Sequence, residues 1–496
     1  QTIWKLNDPI SWKEFNRAIN KLKNGKASGL NDVPPEAFKA MDAECRMKVF
    51  GYVQDFWEGK ADYEGWHRSQ CVPVPKSGDL SDPNKWRGVM LMDVCSKIFS
   101  IVMNERAFVM MDEHGTKFQF GGTPNLGCRD GLFTLKTLLN MRKNHNLPSY
   151  VAFVDLVKAY DTANHELLLR ILEKYGAPPK FISAIERMYT DLVVVLKIGK
   201  KVEEILQEVG VRQGDNMAPV LFLFLMSAFA ETLEQVWKEK GIEVVTVQSV
   251  TEDDFESGKG AIKSHTIPQY TSRTLTAFEI FQCLYVDDGA FIFGSRRELE
   301  RGANLIYDHF ALFGLEMHIG RGDKESKTEC VFFPPPQFFT TSGGSIEDVE
   351  ETPEFGVEGE FLLSECERRQ HESEKMRTER ENVAYDSLDE TQPICVSDGQ
   401  ITFTRNFKYL GSYVSYNLRD DFDVEARLTA ASQSMGALKN VWDNSHMDIY
   451  SKYLLFRAIP LNLLLWGCET WSLRQVLLNK LEVFLHRNIR RILKVT

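Results

Sequence analysis

Two stretches of this sequence set carboxylates inside apolar runs. Val151-Ala152-Phe153-Val154-Asp155-Leu156 carries one acid near its end, and Cys283-Leu284-Tyr285-Val286-Asp287-Asp288-Gly289-Ala290-Phe291-Ile292-Phe293 carries two in its middle. An unpaired buried carboxylate is costly, so acids in such places need a partner. A divalent cation is one: Mg²⁺ takes oxygen ligands and usually binds through one or two carboxylates plus phosphates. Asp288-Gly289 between two apolar runs is a hairpin signal, which predicts Asp287 and Asp288 at the tip. If the strand of Asp155 lies beside that hairpin, three carboxylates meet at one sheet edge. A pair of cations held there would activate an attacking oxygen and stabilise a leaving one, which is the chemistry of nucleotidyl transfer. Each piece also has a plainer reading: Asp-Asp-Gly as a simple turn, Asp155 as a helix N-cap.

The elements that must hold these acids in place are legible in outline. Trp12, Phe15, Ile19 and Leu22 recur at helical spacing. The spacing predicts strands over 70–75 and 86–92 around a polar turn at 77–84, and a helix over 94–111. A buried strand follows over 150–156, then an amphipathic helix over 165–175 that ends at Gly176. The longest apolar run, 217–230, is shorter than a bilayer span and reads as a buried helix. From Asp423 onward the pattern is helical throughout. Val424, Leu428, Met435, Leu438 and Trp442 mark one apolar face, and Leu477, Leu481, Phe484, Leu485, Ile489 and Ile492 another. Strands and helices mixed early, then helices alone, predict an α+β body with a separate helical subdomain. A chain of 496 residues exceeds what one core supports, so two or more subdomains are expected.

Net charge is −11, which argues at first against a nucleic-acid partner. The acidity is local, however. Between 334 and 400 stand 17 acidic and 5 basic residues, and without that stretch the remainder carries +1. Basic surfaces can exist on such a remainder. The stretch itself is poor in apolar residues and is expected to be a mostly disordered insertion; a second polar insertion is expected at about 241–273. The nine cysteines have neither C-x-x-C spacing nor a neighbouring His pair, so no zinc site and no disulfide-linked partner is expected. No secretory signal opens the chain, and both of its ends read as cut.

The order of further motifs identifies the chain as resembling a family. Tyr285-Val286-Asp287-Asp288 is similar to the Tyr-x-Asp-Asp box of reverse transcriptases. Phe153 to Asp161 resembles the acidic motif that precedes it, and Gly210-Val211-Arg212-Gln213-Gly214-Asp215 the Gly-x-x-Gln-Gly segment between them. Upstream, Pro73-Val74-Pro75-Lys76-Ser77-Gly78-Asp79 and Trp86-Arg87-Gly88-Val89 resemble the fingers hairpin. Downstream stand Lys327-Thr328-Glu329 and Phe407-Lys408-Tyr409-Leu410-Gly411. The style of the blocks resembles retrotransposons without long terminal repeats, of which the chain would be a fragment. It departs from the family at Gly122-Thr123-Pro124-Asn125, after Gly214, and in its two insertions.

The resemblance implies a right-hand polymerase fold of fingers, palm and thumb, and RNA-directed DNA synthesis with two Mg²⁺ ions, Mn²⁺ being the alternative. Asp155, Asp287 and Asp288 would bind the metal. Lys76 and Arg87 would grip the triphosphate, Tyr160 would exclude a 2′-hydroxyl, and Gln213 would lie beside nucleotide and template. Lys327 would protonate the departing pyrophosphate. Tyr409, Leu410 and Gly411 would support the primer end. Arg487, Arg490, Arg491 and Lys494 share one face of the last helix, and either follow a duplex backbone or complement the helix dipole.

The expected division is 1–149 N-terminal extension and fingers, 150–333 palm, 334–400 acidic insertion, 401–422 end of palm and 423–496 thumb. Partners would be an RNA template, a DNA primer and dNTPs, with no membrane, and the compartment the nucleus. Two other readings stay open: a catalytically inactive nucleic-acid-binding relative, and an intron-encoded maturase-type enzyme.

Overall fold

The computed structural model describes residues 2–76, 79–114, 119–123, 125–250, 275–280, 282–322, 324–342 and 365–495. In chain order its strands are β1 (Arg68–Pro75), β2 (Trp86–Met92), β3 (Ser149–Val154), β4 (Leu192–Ile198), β5 (Lys201–Gln207), β6 (Val245–Val250) and β7 (Leu275–Ile280). They continue with β8 (Gln282–Tyr285), β9 (Asp288–Phe293), β10 (Glu329–Phe333), β11 (Ile394–Val396), β12 (Gly399–Phe403), β13 (Asn406–Tyr409) and β14 (Ser412–Ser415). The chain divides into two compact units. One holds Gln1–Pro124, Leu156–Lys240 and Leu305–Met317; the other holds Asn125–Asp155, Gly241–Asn304 and His318–Thr496.

This division cuts across the linear one expected from the sequence. Residues 156–240, expected in the palm, fold with the N-terminal segment because β4 pairs in parallel with β1, Arg68 opposite Val193. Residues 125–149, expected with the fingers, fold with the acid-bearing strands. Their helix Cys128–Asn144 is tied to β3 by Arg142, whose Nε donates to Ser149 Oγ at 2.8 Å. A pairing as distant in the chain as that of β1 with β4 leaves no trace in local periodicity.

In the first unit the sheet order is β2-β1-β4-β5. The N-terminal helix Trp12–Lys21 begins with a reciprocal cap between Ser11 and Glu14 and buries Phe15, Ala18 and Ile19. The apolar run found in the sequence becomes the helix Ala218–Glu239, 22 residues long. By length and composition this helix would suffice to cross a membrane, but 67% of its most apolar window is buried inside the protein. Its rings of Phe222, Phe224 and Phe229 are wholly buried, so it serves as the core helix of this unit.

In the second unit the order is β11-β12-β10-β3-β9-β8. β3 lies between β9 and β10, antiparallel to both, and is buried along its whole length. Phe153 stacks on Phe407 with centroids 4.2 Å apart. The C-terminal helices, from Asp421–Ala437 to Gln475–Leu493, have a core of their own around Val424, Met435, Trp442, Phe456, Leu477 and Phe484. Ile489, expected on that apolar face, is 42% exposed.

Parts of both insertions form regular elements. Val245–Val250 pairs with Leu275–Ile280 as an antiparallel ladder, while 251–274 lie outside the described residues. In the acidic stretch, Pro336–Ser342 and Glu365–Asp386 are helical and β11 and β12 extend the sheet, while 343–364 lie outside the described residues. The anchor is not an apolar stripe, which is why composition missed it. The Tyr385 hydroxyl, buried, accepts from Phe332 N at 3.0 Å and donates to Phe332 O at 3.1 Å. Glu381, fully buried, pairs with Arg377 at 3.0 Å and Arg419 at 3.5 Å.

Candidate functional site

β8 and β9 form the expected hairpin, but its turn is Val286-Asp287, because Tyr285 pairs with Asp288 and Leu284 with Gly289. Gly289 is therefore not a turn residue. It answers a packing need, since a Cβ there would fall 2.8 Å from the Phe291 ring. The turn instead places Val286 at φ 59°, a left-handed conformation that a β-branched residue rarely adopts. Strain of this kind persists only where the surroundings fix it, and it collects at functional sites.

β3 runs alongside β9 with Val154 opposite Gly289. The same register carried one step further sets Asp155 opposite Asp288. The Asp155 backbone is fixed on both sides: its N–H donates to Thr328 Oγ1 at 3.1 Å, and its carbonyl accepts from His318 N at 2.9 Å. Its carboxylate has Lys327 Nζ at 3.8 Å, with both side chains reaching solvent. Asp288 touches solvent, yet protein surrounds it on its other sides. That desolvation, and then the like charges of Asp287 and Asp155, push its carboxyl up to about 7. Thus three acids adjoin at the end of one sheet, and Asp155 and Asp287 disfavour the ionisation of Asp288. Among the described residues no three His, Cys, Asp or Glu side chains form a ready-made metal cage. The donor set still fits Mg²⁺, which seldom uses an all-protein cage and takes part of its shell from phosphate and water. A cation would relieve the repulsion that raises Asp288.

Residues missed in the sequence reading support this hairpin. Thr328, wholly buried, fixes the Asp155 backbone; only its place beside Lys327 hinted at it. Cys128, at the start of Cys128–Asn144, hydrogen-bonds the Tyr285 hydroxyl, which with burial raises that phenol to about 12. The Tyr409 hydroxyl donates to Cys283 O at 3.0 Å, tying the β13–β14 hairpin to β8.

The residues expected at the nucleotide fall in the first unit. Lys76 N donates to Lys85 O at 2.7 Å, continuing the β1–β2 register in which Val74 faces Arg87. Directly opposed residues share a face, as do residues two apart, so Lys76, Lys85 and Arg87 lie on one side of the hairpin. Lys76 and Arg87 are exposed. Tyr160 stacks on Phe222, centroids 4.7 Å apart and planes at 15°. Gln213 is half-buried; its Nε2 donates to Asp161 Oδ1 at 3.3 Å, and its carbonyl accepts from Met90 N at 2.7 Å. The loop that carries it is pinned by glycines. A Cβ on Gly210, at φ 86°, would meet the Asp161 carbonyl at 2.6 Å, and one on Gly214, at φ 114°, the Met90 carbonyl at 2.6 Å. Behind Gln213, Arg212 and Asp215 form a fully buried pair at 3.4 Å, the guanidinium also donating to Trp66 O at 3.2 Å.

Arg487, Arg490 and Arg491 are exposed and line a cleft of about 450 Å³ on the last helix. Lys494 departs from the expected stripe: the helix ends at Leu493, and Lys494 caps it in the left-handed conformation at φ 56°.

Residues 74–321 match the family model for reverse transcriptase (RNA-dependent DNA polymerase). The range includes the three acids, Lys76, Arg87, Tyr160 and Gln213, and stops short of Lys327 and the 409–411 turn. The chain is 24% identical over 250 residues to the retrovirus-related Pol polyprotein from type-1 retrotransposable element R2 of Bradysia coprophila, covering 50% of this chain and 27% of that protein. It is 22% identical over 239 residues to the corresponding polyprotein from type-2 element R2DM of Drosophila melanogaster, covering 48% and 22%. To a 149 kDa protein of transposon TX1 from Xenopus laevis it is 24% identical over 247 residues, covering 49% and 19%. The matches to these relatives thus span about a quarter of their length. An apo telomerase structure from Candida tropicalis overlays with TM-score 0.37 at 12% identity, over 57% of this chain and 55% of that one.

Proposed function

The chain belongs to the reverse transcriptase (RNA-dependent DNA polymerase) family, and from that premise we propose that it extends a DNA primer along an RNA template in the replication of a retrotransposon without long terminal repeats. The observation that carries the reading is the junction of Asp155, Asp287 and Asp288 at the end of β3 and the β8–β9 hairpin, where desolvation and then the charges of its two acidic neighbours raise Asp288. These three would hold the metal, two Mg²⁺ ions or Mn²⁺ in their stead. When bound, such ions supply charge to an attacking primer hydroxyl and to a leaving phosphate oxygen.

The chain's own groups account for the rest of the task. Thr328 and the 318 amide fix the Asp155 backbone, so its carboxylate is presented without a search. Lys76 and Arg87, on one face of their hairpin, bind the triphosphate, Arg87 with the option of two parallel bonds. The Tyr160 ring, backed by Phe222, would exclude a ribose 2′-hydroxyl. Gln213 meets the nucleotide and template. Lys327 gives a proton to the departing pyrophosphate, and the 409–411 turn supports the primer.

Purified protein given a primed RNA template, dNTPs and Mg²⁺ is expected to extend the primer, and EDTA to stop it. Tight binding of primed RNA with no extension in Mg²⁺ or Mn²⁺ would overturn this reading in favour of a non-catalytic binder.

A further inference from the structure

The two-residue turn between β13 and β14 is Leu410-Gly411, at φ 49° and 82°. Consecutive positive φ values suit a tight hairpin, and glycine adopts them freely, but leucine does so at a steric cost. Something must hold Leu410 there. Two side chains from the C-terminal segment do, and a third aligns one of them. The Gly411 carbonyl accepts from Arg427 Nη2. The Leu410 carbonyl faces the Trp466 indole N–H at 3.5 Å, and a Cβ on Gly411 would lie 2.9 Å from that same nitrogen, so the indole rests on the turn. Arg427 is in turn aligned by Asp423 at 3.5 Å. Asp423 is fully buried and reads the start of β14: it accepts from Tyr413 N at 3.0 Å, from Ser412 Oγ, and from Trp471 Nε1 at 2.8 Å.

The residue that leads into the turn is also fixed. The Tyr409 hydroxyl donates to Cys283 O on β8, the strand that leads to Asp287. The turn is therefore tied on one side to the acid-bearing hairpin and on the other to the C-terminal helices.

We propose that Asp423, Arg427 and Trp466 form a clamp that sets the Tyr409-Leu410-Gly411 turn for the 3′ end of the primer. They are positioning residues, and the inference rests on reading that turn as the primer support. A duplex that shifts the C-terminal helices would, through this clamp, shift the turn.

The test compares wild type with Arg427→Ala, Arg427→Lys and Trp466→Phe. Binding is read by anisotropy, without dNTP, on a primer–template with a recessed 3′ end and on a blunt duplex of equal length. Steady-state extension gives the two KM values. Arg427→Ala should weaken binding of the recessed primer–template and raise its KM about tenfold, as expected for losing a charge-assisted bond. The KM for dNTP should stay within about twofold, and Arg427→Lys should recover part of the loss. Trp466→Phe keeps an aromatic ring but loses the donor and the pyrrole edge that rests on Gly411, so its effect should be in the same direction. It decides the matter if Arg427→Ala does not fold. Variants that bind the recessed end as wild type does, or that lose blunt duplex equally, would overturn the clamp. If wild type extends nothing but the recessed-end preference and its loss persist, the polymerase reading falls and the clamp stands.

Discussion

Tyr160 lies flat against a buried phenylalanine, so the phenol cannot swing aside without breaking the stack. Tyr160→Ala should therefore admit ribonucleotides, raising the incorporation of rNTP relative to dNTP roughly ten- to a hundredfold. An unchanged ratio in single-nucleotide extension would remove Tyr160 from the sugar gate. Asp155, Asp287 and Asp288 could be picked out of the sequence because acids inside apolar runs are costly without a purpose. The turn could not be placed from Asp288-Gly289, because that glycine answers to the Phe291 ring and the strained position falls to Val286. Thr328 and Cys128 gave no such signal: a buried threonine or thiol is ordinary until its partner is known.

At the scale of the element, the 210–217 loop depends on a pair of charges fully removed from water. Asp215 accepts from Ser100 Oγ and, at 3.1 Å, from Met217 N, besides pairing with Arg212. Asp215→Ala would strand the guanidinium and should cost about 3–5 kcal/mol in denaturant unfolding. A cost below about 1 kcal/mol would mean that the pair does not hold the loop.

The N-terminal helix offers a pH test. Arg106, nearly buried, donates to Glu14 at 2.9 and 3.2 Å and to the carbonyls of Leu6, Asp8 and Pro9. Partial burial raises the Glu14 carboxyl, but the bonds from Arg106 and Ser11 outweigh it and hold the group at about 2, below its usual 4.5. A depressed carboxyl adds stability that is complete above the unfolded value and is lost as pH falls toward the folded one. Wild type should lose its margin over Glu14→Gln between pH 4.5 and 2, as followed by circular dichroism. A margin unchanged across that window would contradict the assignment. The helix itself was legible from Trp12, Phe15 and Ile19; Arg106, 92 residues beyond Glu14, was not.

Over the whole molecule, the sheet order explains why one short strand matters so much. β3 sits between β9 and β10, so Asp155 meets the 286–287 hairpin on one side and Thr328 on the other. The order of motifs was enough to name the family, but not to divide the chain, which passes repeatedly between its two units. The acidic stretch misled for a related reason, as one buried tyrosine and one buried glutamate tie it to distant residues. The most direct test of the central claim is dNTP incorporation on oligo(dT)-primed poly(rA) with Mg²⁺, comparing wild type with Asp287→Asn. Wild type should incorporate dNTP and the variant should show none above background, with primer–template binding retained. Equal incorporation by both would contradict that claim, because the carboxylates at the end of this sheet would then not be the ones that carry the reaction.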